Sequence, residues 1–128
     1  MKKITILILL IAMPIIGSAA CKTRNLAAIW GGSVGGLLSG QNEQCSFAVD
    51  RVGSIWSGSC TNMVTGVVNR IASGSASLDS NCQLSGDIFF DNGVKTHIYG
   101  FMNSSKNTII GGFWNTAGDN GTFNGVKL

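Results

Sequence analysis

The chain has 128 residues, is 45% hydrophobic and only 12% charged, and carries nine basic against six acidic residues for a net charge of +3. That length bounds one ordinary domain with one modest core. The longest local basic cluster is Lys22 and Arg24, so a nucleic-acid binder, which gathers its basic residues into a patch, is excluded as the expected class.

Met1-Lys2-Lys3 is a short basic segment, Ile4 to Ile16 is an apolar run of 13 residues broken at Pro14, and Ser18-Ala19-Ala20 supplies small residues before a cleavage point. This is the layout of a secretory signal peptide over residues 1–20, cleaved after Ala20. The run falls short of the roughly 20 apolar residues that span a bilayer core. The alternatives are a buried core helix or an uncleaved anchor. Residues 21–128 then form a single, nearly neutral domain, because Lys2 and Lys3 leave with the leader. The expected location is the periplasm, surface or surroundings of a bacterium.

Four cysteines follow: Cys21, Cys45, Cys60 and Cys82. An exported chain favours disulfides, and four cysteines allow three pairings. No two of them lie at the short spacing of a zinc ligand pair, so no metal is expected. Cys21 carries a second reading. It directly follows Ser18-Ala19-Ala20, the place of the acylated cysteine of a bacterial lipoprotein, although Ser18 stands where a larger aliphatic residue is usual. A lipid on Cys21 would leave one cysteine unpaired, whereas a free Cys21 permits two disulfides.

Glycine makes up 18 of the 128 residues, about twice the usual ~7%, and proline is absent after Pro14. Helix formers are scarce. Candidate strands run over 28–33, 45–50, 54–60, 63–70, 72–79, 82–88, 95–102, 108–115 and 122–127. In one of them Cys82, Leu84, Gly86 and Ile88 share a face, with Gln83, Ser85 and Asp87 on the other. Gly31-Gly32-Ser33-Val34-Gly35-Gly36 lacks the lysine of a phosphate-binding loop and reads as a kinked strand. Asp91-Asn92-Gly93 is the clearest hairpin turn. Short strands with short turns imply antiparallel neighbours. The expected fold is all-β: a small antiparallel up-and-down β-barrel of about eight strands, with a β-sandwich as the alternative.

One register argument bears on the cysteines. A two-residue loop at Val52-Gly53 places Cys45 directly opposite Cys60, within disulfide reach, and leaves Cys21 with Cys82. Val52 is β-branched and unsuited to such a turn. A three-residue loop Arg51-Val52-Gly53 suits Gly53 better, but it shifts the register by one and separates the two cysteines.

Candidate chemistry is thin. His97 is the single histidine and shares a strand face with Tyr99 and Phe101, so it reads as a structural or surface residue. Asp79, Asp91 and Asp119 sit in turn-like contexts, and Asp87 falls on a polar strand face, so all four read as solvated. No catalytic residue and no cofactor are expected. The aromatic residues should mostly fill the interior. In the adjacent pairs Phe89-Phe90 and Phe113-Trp114 one member must face outward, which makes Phe89 and Trp114 candidate exposed aromatics for a partner surface.

The last third runs His97-Ile98-Tyr99-Gly100-Phe101-Met102, a polar turn, Thr108-Ile109-Ile110-Gly111-Gly112-Phe113-Trp114, a second turn, and Gly121-Thr122-Phe123-Asn124-Gly125-Val126-Lys127. It resembles the closing strands of the small barrel of transferrin-binding-protein-B-like surface lipoproteins. The resemblance implies an eight-stranded barrel, anchored through Cys21, that engages a host protein or haem carrier; it assigns no binding residue. The expected function is thus a non-enzymatic, exported binding protein with a protein partner or a small apolar ligand. Bulky core candidates on many strands favour a filled interior and hence the protein partner. A periplasmic or secreted inhibitor of a protease or lysozyme is the alternative, and a minimal outer-membrane barrel is a further one. No nucleic acid is expected, and a membrane only through the lipid.

Overall fold

The computed structural model describes residues 20–36, 40 and 42–128. The secretory leader expected from the sequence lies outside the described residues, apart from the exposed Ala20. A 3-10 turn over Thr23–Leu26 precedes eight strands: β1 Ala28–Gly36, β2 Asn42–Val49, β3 Ile55–Asn62, β4 Val68–Leu78, β5 Gln83–Phe90, β6 Lys95–Met102, β7 Thr108–Asn115 and β8 Asn120–Lys127. Each strand pairs antiparallel with the next, and β8 pairs with β1 to close an up-and-down barrel. Closure decides against the sandwich and leaves no free sheet edge.

The turns follow from the short polar residues that begin them. In three hairpins the Oδ1 of Asp50, Asp79 or Asn115 accepts the backbone N–H groups of the residues two and four further on. The fourth residue of each turn is left-handed: Gly53 at φ 87°, Cys82 at φ 63° and Gly118 at φ 87°. Cys82 holds this conformation without glycine's freedom.

Two sequence expectations are corrected here. The β2–β3 loop is the three-residue one, Arg51-Val52-Gly53, yet Cys45 still faces Cys60. Val49 faces Ile55 while Ala48 faces Ser57, so Trp56 is the extra residue of a β-bulge that restores the register. The candidate strands over 63–70 and 72–79 are one strand, β4, and Met63–Val67 is turn. Asn62 Oδ1 accepts from Val64 N and Thr65 N and pulls that apolar stretch off the sheet.

Alternation then sorts the side chains. On β5, Leu84 and Ile88 are buried, while Gln83 and Ser85 face solvent. Ser75 and Ser77 of β4 are likewise exposed. Leu26, Trp30, Ile55, Leu78, Leu84 and Ile88 form the core, each burial contributing about 1.5–3 kcal/mol. Gly100 and Gly111 face each other across β6 and β7. A Cβ on either would meet the carbonyl oxygen of Ile110 or Tyr99. The bare backbone lets these strands approach closely and bend around a small barrel.

Candidate functional site

Up-and-down topology gives the barrel two different ends. The Asp50, Asp79 and Asn103 turns and the N-terminal 3-10 turn gather at one of them. That end is plugged. Leu26 is 2% exposed, and its carbonyl accepts a 2.8 Å hydrogen bond from the indole Nε1 of Trp30. Thr23 Oγ1 accepts from Leu78 N, and Lys127 Nζ donates to the Asn25 carbonyl. A disulfide from Cys21 to Cys82, with Cα atoms 5.0 Å apart, fastens the plug to the β4–β5 turn.

Above the plug lies a cavity of about 140 Å³. Trp30, Phe47, Ile98, Phe113 and Phe123 are among the apolar side chains around it. The sequence reading expected bulky residues to fill this space, and the structure corrects it. Gly32, Gly36 and Gly125 line the cavity on β1 and β8 and contribute no side chain. Trp56, Phe89, Tyr99, Phe101 and Trp114 point to solvent instead, at 43–69% exposure. The alternation was readable; what was missed is that inward glycines and outward aromatics together leave the middle unfilled.

At the opposite end the cavity leads into a polar vestibule of about 320 Å³, bordered by the β3–β4, β5–β6 and β7–β8 connections. Glu43, Cys60, Phe90, Thr96 and Asn115 border both spaces. Burial pushes the Glu43 carboxyl above its usual range, and the negative charge of Asp119 adds to the shift. Asn62 is 7% exposed and lines the vestibule. Its Oδ1 accepts from Val64 N and Thr65 N and serves the β3–β4 turn.

Cys45 and Cys60 form the second disulfide on the inner wall beside Glu43, with Cα atoms 4.1 Å apart. The Glu43 oxygen and both sulfurs lie within 4.8 Å of one another. Each sulfur is bonded to the other, so no thiolate is available to hold a metal. The Cys21 sulfur is likewise committed to Cys82, and Cys21 is buried. A thioether-linked lipid would need that same sulfur, so the disulfide and a lipid on Cys21 are mutually exclusive alternatives.

The outer wall carries its own cluster. Asp87 faces His97 across β5 and β6, and His97 Nδ1 lies 3.0 Å from Asp87 Oδ1. Asp87 is therefore paired rather than merely solvated; the three-residue loop Asp91-Asn92-Gly93 sets that register. His97 lies beside Trp114, with ring centroids 5.2 Å apart, and beside Tyr99. Phe89 and Trp114 are 43% and 49% exposed, whereas Phe113 is buried. His97 thus stands outside the barrel, separated by the wall from the cavity.

No family model matches the chain, and no curated protein matches it. Among solved structures it is similar to a barrel described as "De novo design of a fluorescence-activating beta barrel", with a TM-score of 0.67 and 10% identity over 88% of this chain and 99% of that one. At that identity the likeness is one of fold, a small closed antiparallel barrel.

Proposed function

We propose that this protein is an exported, non-enzymatic binding barrel whose interior takes one small, largely apolar ligand. The observation that carries the reading is the apolar cavity of about 140 Å³, closed below by the 3-10 plug and leading to a polar vestibule. An engineered cavity of ~150 Å³ with an apolar lining binds benzene, and eight-stranded barrels have room for one small ligand. Two disulfides fit an oxidising compartment outside the cytoplasm. The outward serines and Gln83 argue against a lipid-spanning barrel, which needs an apolar outer band.

The test is calorimetric titration of the disulfide-bonded protein with benzene, toluene and ethylbenzene. Saturable one-to-one binding is expected, with Kd on the order of 0.1–1 mM for ligands of this size. Filling the cavity by Val34→Phe should abolish it. Absence of saturable binding across the series overturns the reading.

A second reading has its own observation. Tyr99, Phe101, Ile110 and Trp114 are 49–59% exposed on neighbouring strands β6 and β7. Such a strip favours a protein partner, whether a surface partner of the kind the resemblance implies or a hydrolase to be inhibited. Panels of proteases and lysozymes assayed with and without the protein test the inhibitor form.

A further inference from the structure

The Cys45–Cys60 disulfide differs from Cys21–Cys82 in where it stands. Cys45 and Cys60 face each other on the inner wall, and the β2–β3 ladder continues on both sides of them, from Glu43 opposite Asn62 to Val49 opposite Ile55. The strand ladder therefore holds the two residues opposite each other whether or not their sulfurs are bonded. Glu43 is two residues before Cys45, so alternation turns it to the same face. Its carboxylate oxygen and both sulfurs lie within 4.8 Å of one another. Gly32 pairs with Cys45 on the β1 side and has no side chain to fill the space there. Glu43 and Cys60 border the vestibule, which gives solutes a route to the group. Among the described residues, no histidine, cysteine, aspartate or glutamate joins Cys21 and Cys82 within the same limit.

Two sulfurs and a carboxylate oxygen are a donor set for zinc once the sulfurs are thiolates. Tetrahedral zinc with Zn–S bonds of about 2.3 Å holds two sulfurs roughly 3.8 Å apart. The Cα atoms of the facing pair are 4.1 Å apart, so thiolates standing side by side on neighbouring strands meet that spacing. Three protein donors leave a fourth position for water from the vestibule.

We propose that Cys45, Cys60 and Glu43 form a redox-gated zinc site. The oxidised barrel cannot hold the ion. A dithiol reductant entering through the vestibule supplies two electrons and two protons: the Cys45–Cys60 bond breaks, both sulfurs become thiols, and the reductant leaves as its own disulfide. Zn²⁺ then bonds to both sulfurs and to the Glu43 carboxylate, and the two thiol protons pass to solvent. Exchange with an oxidised dithiol reverses both steps and releases the ion. The site does not depend on an apolar ligand in the cavity.

In the experiment the protein is reduced with excess dithiothreitol and desalted without oxygen. It is then titrated with Cd²⁺, read by the ultraviolet thiolate-to-cadmium absorption, and with Zn²⁺ against a chromophoric chelator. Circular dichroism monitors the strands throughout. One ion per chain is expected in the reduced protein and none in the oxidised one. Reduced Cys21→Ala with Cys82→Gly, which keeps only the inner pair, should bind as the parent does. Reduced Cys45→Ser with Cys60→Ser should not bind. Glu43→Gln should keep the thiolate absorption yet weaken zinc by about ten-fold or more, since even the outer partner of a ligand is worth about 10–100-fold. The proposal is overturned if the reduced parent binds no ion, or if the strand signal is lost on reduction before metal is added. It is equally overturned if binding is lost with Cys21 and Cys82 rather than with Cys45 and Cys60, or if Glu43→Gln keeps the parent affinity. Benzene binding is measured on the oxidised protein, so failure of the zinc site leaves the cavity reading standing.

Discussion

Removing the Cys21–Cys82 disulfide should cost more stability than removing Cys45–Cys60, although both are buried. The first closes 61 residues of chain and the second 15. Loop-closure entropy puts these at about 4 and about 3 kcal/mol, a difference of about 1.2 kcal/mol. For a domain of this size, a loss of about 4 kcal/mol lowers Tm by roughly 15 °C or more. Cys82 refines the comparison because it occupies a left-handed position at φ 63° that Gly53 and Gly118 fill in the sister turns. Cys21→Ala with Cys82→Gly should therefore be more stable than Cys21→Ala with Cys82→Ala by about 0.5–1 kcal/mol, relief of strain outweighing the extra freedom of glycine in the unfolded chain. Urea denaturation of these pairs and of Cys45→Ala with Cys60→Ala measures all three. The reasoning is refuted if the 15-residue loop proves the more costly to open, or if glycine at position 82 gives no advantage over alanine.

Further outcomes follow from single contacts. Gly100→Ala should lower the urea midpoint by the equivalent of about 1–3 kcal/mol because its Cβ meets the facing strand, whereas Gly35→Ala, with nothing within 4 Å, should stay within about 0.5 kcal/mol of the parent. Trp30→Phe removes the donor to the buried Leu26 carbonyl and should cost about 1–3 kcal/mol by thermal melting. Asp50→Ala should destabilise by about 1–2 kcal/mol through the loss of two turn hydrogen bonds, with Asp50→Asn close to neutral in the same melt. Because the folded state raises the Glu43 pKa, it holds that proton longer than the unfolded chain does. Stability should therefore fall as pH rises from the ordinary carboxylate range through the raised value. Glu43→Gln should remove that fall and be the more stable protein at neutral pH; equal pH profiles for the two proteins would contradict this origin.

Much of the wall was legible because period-2 alternation survives in single strands: Leu84 and Ile88 against Gln83 and Ser85 needed no partner to be sorted. The cysteine pairing was legible only in part. Each loop length for β2–β3 satisfied one local demand and violated the other, and the resolution is a bulge at Trp56, which depends on how two strands meet. The turn at Met63–Val67 was misread for a similar reason. Its valines favour a strand, but the Asn62 carboxamide captures two backbone N–H groups and outweighs them. The cavity was least visible. Gly32 and Gly36 read in sequence as part of a kinked strand; their effect on volume emerges only when they line the same space as Gly125 of β8. The mouth was hidden as well: Glu43 and Asn62 pair within the β2–β3 hairpin, but Asp119 joins Glu43 at the cavity only after the barrel closes.

The most direct measurement is a crystal of the disulfide-bonded protein pressurised with xenon. Xenon should occupy a discrete position inside the barrel, among Trp30, Phe47 and Phe123. An interior without xenon, filled instead by side chains or ordered water, would contradict the proposal that this barrel holds an apolar ligand.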